Sequence, residues 1–219
     1  MLGRYNDGGG QALAQWLKQE FPDFKPRRIL DIGCTVGHNI VPLAQAFPEA
    51  EVIAVDVAAP MLRYAHARAR SLGVDNISFR QANGEALDYP DGYFDVISTS
   101  MFFHESSAKA MPVKLREINR LLAPGGLSAN LEQPQYHGMD PYEQFIRDWD
   151  TYNNNEPFWG VMHDYDLRKM MADAGFDPER YFETKVHGVV DRSIFPEAGE
   201  KGEDYGRAAL WTMFGVWKA

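Results

Sequence analysis

Ile29-Leu30-Asp31-Ile32-Gly33-Cys34-Thr35-Val36-Gly37-His38-Asn39 is an apolar run that breaks into a glycine-punctuated turn. A strand covered by helices on both faces reads as such a run. Residues 38–47 then have helical character, and Pro42 fits the first turn, where an amide lacks an intrahelical partner, so this helix is expected to start near His38. Glu51-Val52-Ile53-Ala54-Val55-Asp56-Val57 repeats the apolar pattern. Strand, helix and strand in that order imply a parallel pair. Open parallel sheets bind ligands outside the carboxyl ends of their strands, where the Gly33–Gly37 turn and Asp56 both fall.

Outward from this unit the alternation continues. In residues 60–72, Met61, Leu62, Ala65, Ala69 and Leu72 follow helical spacing, Gly73 suits a cap, and Arg63, Arg68 and Arg70 fall mostly on the wet side. Strands are expected at 77–82, 94–101 and 126–131, with a helix at 107–122 and a stop at Ala123-Pro124-Gly125-Gly126. Residues 134–160 break the pattern: Phe145, Trp149 and Tyr152 stand at i, i+4 and i+7, as in an inserted helical cover. A helix from Asp164 or Asp166 to Ala174, closed by Gly175, and strands at 181–190 and 210–217 complete the chain. Residues 191–206 read as a long loop. The expected class is a doubly wound, Rossmann-like, mostly parallel α/β sheet forming one domain over residues 1–219.

Composition narrows the function. At 219 residues, 45% hydrophobic and 24% charged, the chain is neither disordered nor fibrous. Thirty-one acidic against 22 basic side chains give a net charge of −9, which repels polyanions, so nucleic acid and anionic membrane are not expected partners. The lone Cys34 excludes an internal disulfide, and a cytoplasmic monomer or homodimer is expected. His137, His163 and Asp164 lack a metal-ligand spacing, so no metal is expected.

A dinucleotide loop needs glycine at the second and third places of its motif, because backbone must approach a pyrophosphate there. Those places hold Thr35 and His38. A ligand without phosphates remains acceptable. Asp56, roughly 20 residues after Gly37, suits the vicinal hydroxyls of a ribose. Read alone, it also suits a helix cap before Pro60.

At these residues the chain resembles the class I S-adenosylmethionine-dependent methyltransferases. The resemblance implies seven strands, the last antiparallel, with Asp31, Gly33, Cys34, Thr35 and Gly37 around the methionine part of the cofactor and Asp56 on its ribose. Val57 and Met61 match positions flanking the adenine. Asn83-Gly84-Glu85-Ala86-Leu87 is similar to the segment leading to the fourth strand, where Ser98 joins the cofactor side. Thr35 replaces the family's middle glycine, and Asn83 replaces an aspartate whose hydrogen bond its amide oxygen can still accept. Arg116 to Gly126 is similar to the helix and turn before the fifth strand.

His104 closes the fourth strand in Met101-Phe102-Phe103-His104-Glu105. There a histidine is either a proton acceptor for a hydroxyl undergoing methylation or a packing residue. Phe103, His104, Phe145, Trp149, Tyr152 and Trp159 are candidates for an acceptor pocket; the aromatic helix face alternatively covers the sheet. Residues 1–24 form a helical lid in this reading, with Tyr5, Asn6 and Asp7 over the cofactor or frayed. Cys34 reads as small buried filler. The expected activity is methyl transfer from S-adenosylmethionine to a small molecule, first at oxygen, with nitrogen or carbon open. The rivals are a nicotinamide-dependent oxidoreductase and a non-catalytic S-adenosylmethionine-binding protein.

Overall fold

In the computed structural model, which describes residues 7–188 and 210–219, seven strands form one sheet in the order β3-β2-β1-β4-β5-β7-β6. These are β1 (Arg28–Ile32), β2 (Glu51–Asp56), β3 (Ile77–Gln81), β4 (Phe94–Ser100), β5 (Leu122–Leu131), β6 (Tyr181–His187) and β7 (Leu210–Trp217). All neighbours pair in parallel except β7, which runs antiparallel to β5 and β6. The alternation of side chains sends Ile29, Val52, Val96 and Leu127 to one face and Leu30, Ile53 and Ile97 to the other. Helices cover both. On the first lie α1 (Gly8–Glu20), α2 (Ile40–Ala46) and α3 (Ala59–Ser71); on the second lie α4 (Met111–Leu121) and α7 (Leu167–Asp173).

Several boundaries differ from the sequence reading for physical reasons. Helix α2 starts at Ile40, with Asn39 at its N-cap position and the Asn39 side chain bonded to Asp31 in place of a cap. Strand β5 starts at Leu122, not after Gly126: Phe94 pairs with Leu122 and Val96 with Leu127, so the Ala-Pro-Gly-Gly tract is a bulge inside the strand. The helix expected over 107–122 is shorter, since residues 107–110 form a separate turn in which Ser107 Oγ accepts the Ala110 N–H. The loop expected at 191–206 and the last residues of the strand expected at 181–190 lie outside the described residues, as do Tyr5 and Asn6.

The insertion forms α5 (Pro141–Asn153) and α6 (Trp159–Met162). Asp140 caps α5 by accepting the N–H groups of Tyr142 and Glu143. No residue of α5 is buried. Of the expected N-terminal lid, α1 packs as a core layer: it buries Ala12, Leu13 and Leu17, and a Cβ on Gly10 would meet Asn39 O at 2.3 Å, so only glycine permits this approach to the start of α2.

Candidate active site

The carboxyl ends of β1, β2 and β4 carry the expected loop. Gly33 and Cys34 donate their N–H groups to Val55 O at 2.9 and 3.0 Å, which fixes the turn to the end of β2. Thr35 has φ +45°, the left-handed conformation for which the family's glycine is suited, and is exposed. Asp56 receives the Thr35 N–H on Oδ2 at 2.9 Å and the Ala58 N–H on Oδ1 at 2.8 Å. One carboxylate therefore orders the loop and the entry to α3.

Asp31 is buried beneath this loop. It accepts hydrogen bonds from Asn39 Nδ2 and Ser98 Oγ, each at 2.7 Å, and Ser98 lies beside it in the β1–β4 register. Burial pushes its carboxyl up to about 7 against those two hydrogen bonds, and the nearby Asp56 charge adds to the rise. Asn39 Oδ1 is buried and has no partner among the described residues. A cationic group beside Asp31 and Asn39 would satisfy both, as the amino group of a methionine does. Cys34 is buried, and burial raises its thiol well above the usual range, so filler is the role its surroundings support.

The nucleoside side is more open. Val57 and Met61 are exposed, with Gln81 Nε2 donating to Val57 O at 2.8 Å. Asn83 Oδ1 accepts the Glu85 N–H at 3.1 Å, and a Cβ on Gly84 would meet Ile32 Cγ2 at 2.4 Å. Behind the loop, Arg68 corrects the sequence reading: it is buried, not wet, with Nη1 donating to Gly37 O at 3.3 Å and Nη2 to Asp7 Oδ2 at 2.5 Å. Asp7 also bonds His38 Nδ1 at 3.0 Å.

The expected acceptor residues divide. His104 is buried, bonded through Nδ1 to Glu132 Oε1 at 2.6 Å and flanked by Trp159 with ring centroids 5.4 Å apart. Burial opposes its positive charge, but the Glu132 hydrogen bond and the charges of Glu132, Glu105 and Glu156 outweigh that, so its basicity is raised. His104, Glu105 and Glu156 bring their ligand atoms within 4.8 Å of one another. Phe103 is fully buried against Phe214 and belongs to the core, which removes it from a pocket wall. Phe145, Trp149 and Tyr152 lie on the exposed α5, where none of them is buried around an acceptor. Trp159 is buried between His104 and His163.

A cavity of about 980 Å³ lies instead between residues 133–139, α7 and the β6–β7 pair. Gln133, Tyr136, Arg147, His163, Thr212 and Phe214 are among its lining side chains. Gln133 connects it to the end of β4, donating from Nε2 to Met101 Sδ at 3.7 Å while its Oε1 accepts from Arg147. Asn39, Glu132 and Gln133 were not singled out by the sequence reading. Their one signal is position, just beyond the carboxyl end of a parallel strand or at it.

Residues 29–126 match the family described as "Methyltransferase domain". The chain is 34% identical over 148 residues to the ubiquinone/menaquinone biosynthesis C-methyltransferase UbiE of Shewanella sp. (strain W3-18-1), covering 60% of this chain and 58% of that protein. It is 32% identical over 173 residues to the enzyme of that name from Yersinia pestis (strain Pestoides F), covering 71% and 68%. A SAM-dependent methyltransferase from Aquifex aeolicus shares the fold, with a TM-score of 0.59 and 20% identity over 99% of this chain and 92% of that one. Among the described residues no helix is long and apolar enough to cross a membrane. The strand order, the left-handed Thr35 loop, Asp31 and Asp56 near the ends of β1 and β2, and these relatives together place the chain in the class I S-adenosylmethionine-dependent methyltransferases.

Proposed function

We propose that the chain transfers a methyl group from S-adenosylmethionine to a hydroxylated small molecule, at the oxygen or at a ring carbon which that hydroxyl activates. The observation that carries this reading is the convergence, at neighbouring strand ends, of a cation-ready pair, Asp31 and Asn39, with a buried histidine, His104. When bound, S-adenosylmethionine supplies a methyl group on positively charged sulfur. Asp31 and Asn39 Oδ1 hold the amino group of its methionine part, and Asp56 offers its remaining acceptor positions to the ribose while keeping Thr35 in place. Val57, Met61 and Asn83 border the adenine.

His104 Nε2 takes the hydroxyl proton as the methyl arrives. A phenolate so formed is nucleophilic at oxygen and at carbon, so the first-choice oxygen chemistry and the C-methyltransferase relatives share one requirement. The cavity beside Gln133 is the candidate space for the body of the acceptor: its volume lies in the range of small-molecule pockets, and Gln133, which bonds Met101, is the lining residue that joins it to the end of β4, near His104. Orientation supplies most of the rate.

The test is incubation with S-adenosylmethionine and a panel of soluble phenols and naphthoquinols, read by mass spectrometry. A methylated product from at least one is expected. Thermal stabilisation by the cofactor with no product from any would instead establish a binding protein without turnover.

A further inference from the structure

We propose that Glu132 is a positioning residue that fixes His104 as the Nδ1–H tautomer and so leaves Nε2 bare to accept the proton of the acceptor hydroxyl. The proposal rests on the hydroxylated-acceptor reading above and adds the residue through which His104 acts.

The Glu132 side chain is fully buried at the end of β5. Its Oε2 accepts the N–H groups of Phe102 and Phe103 at 2.9 and 2.7 Å, and its Oε1 accepts the Gln133 N–H at 2.9 Å. Backbone amides can only donate, so both oxygens act as acceptors. We therefore assign the hydrogen of the 2.6 Å contact with Oε1 to the ring nitrogen. In neutral imidazole the other nitrogen is an unprotonated acceptor. Nε2 has no hydrogen-bond partner among the described residues, its nearest carboxylate being Glu105 Oε1 at 3.8 Å. Trp159 flanks the ring and restricts its rotation.

The same carboxylate spaces the reaction. By holding the amides of residues 102 and 103, Glu132 sets Phe102 against the cofactor loop, where a Cβ on Gly33 would come within 2.5 Å of Phe102 Cδ2. Proton acceptor and donor loop are thus referenced to one buried group. In the step at oxygen, a lone pair of the acceptor forms the new bond to the methyl carbon as the carbon–sulfur bond breaks. At a ring carbon a π pair of the phenolate forms that bond, and the hydrogen on that carbon then leaves to water as a proton, restoring the aromatic ring. The carbon–sulfur bonding pair stays on sulfur as a neutral thioether. The hydroxyl proton passes to Nε2, and the imidazolium returns it to water after product leaves. The charged groups facing the ring are Glu132 from just after β5, Glu105 from the same loop and Glu156 from the segment after α5, all favouring the imidazolium.

Long-range proton–nitrogen NMR of the wild-type protein tests the tautomer directly. Above its titration midpoint, His104 should carry its proton on Nδ1; a proton on Nε2 overturns the proposal. In Glu132→Gln, which keeps the size but removes acceptor positions, the His104 midpoint should fall. The acidic limb of kcat for a soluble naphthoquinol should shift the same way, with kcat reduced about 100-fold and S-adenosylhomocysteine binding retained. A folded variant whose midpoint and limb stay at wild-type positions overturns it equally. If the variant does not fold, the wild-type tautomer still decides. Wild-type protein that methylates no hydroxylated compound overturns the acceptor reading and the catalytic half of this proposal, while the tautomer separately decides whether Glu132 fixes the ring.

Discussion

Asp31 lies beside Ser98 in the parallel β1–β4 ladder, and the Ser98 hydroxyl donates to its carboxylate at 2.7 Å. Even so, burial holds that carboxyl near neutrality, at about 7 against an ordinary 3.8. The folded chain therefore keeps a proton that the unfolded chain has lost across this window, and stability falls as pH rises through it. Cofactor binding should run the other way, tightening up to about pH 7 and then levelling, because a cationic partner needs the charged form. Urea unfolding and calorimetric titration of S-adenosylmethionine from pH 5 to 8 check both slopes. Asp31→Asn should flatten them.

Asp56 anchors the loop through two amides. Asp56→Ala leaves the N–H groups of Thr35 and Ala58 without that acceptor and removes the ribose partner. Hydrogen bonds to a charged group contribute about 1.5 to 3 kcal/mol, so cofactor affinity should fall at least tenfold. At a hundred times its dissociation constant the cofactor should stabilise wild type by about 2.7 kcal/mol. A thermal shift retained in full by Asp56→Ala would refute the ribose assignment.

Arg68 and Arg63 lie five positions apart on one helix yet should behave oppositely. Arg68→Met strands Asp7 as a buried charge beside His38, a loss of about 3 to 5 kcal/mol. Arg63 is exposed, and Arg63→Met should change stability by less than about 0.5 kcal/mol. Chemical denaturation of the two variants makes the comparison.

Phe103 and Trp149 offer a second contrast. Phe103→Ala opens a cavity in a closed core and should cost about 3 to 5 kcal/mol. Trp149 is 57% exposed, so Trp149→Ala should leave stability within about 0.5 kcal/mol and methyl transfer unchanged. A large loss of turnover in Trp149→Ala would return α5 to the acceptor site.

Much of the sheet was legible because its central strands are apolar on both faces, and because Gly73 and Gly175 end their helices with φ +68° and +95°. The β5 bulge was not legible, since Pro124 and two glycines carry the chemistry of a turn and only pairing with β4 shows otherwise. Helical spacing placed Arg68 in water; a long-range partner, Asp7, put it inside. The α5 aromatics follow helical periodicity, but periodicity identifies a face and not what covers it. Glu132 escaped notice because a lone acidic residue at a strand end carries no motif, and its four donors come from segments that only the fold assembles.

The contact of Gly10 with the Asn39 backbone has a consequence for ligand entry. With α1 wedged behind the Gly33–Gly37 turn, Arg68 tying Gly37 to Asp7, and the N–H groups of Gly33, Cys34, Thr35 and Gly37 all bonded within the protein, the turn is cast before any guest arrives. A preformed receptor loses little entropy on occupation, so association should be fast and the backbone of this turn should give the same amide-exchange protection empty or full.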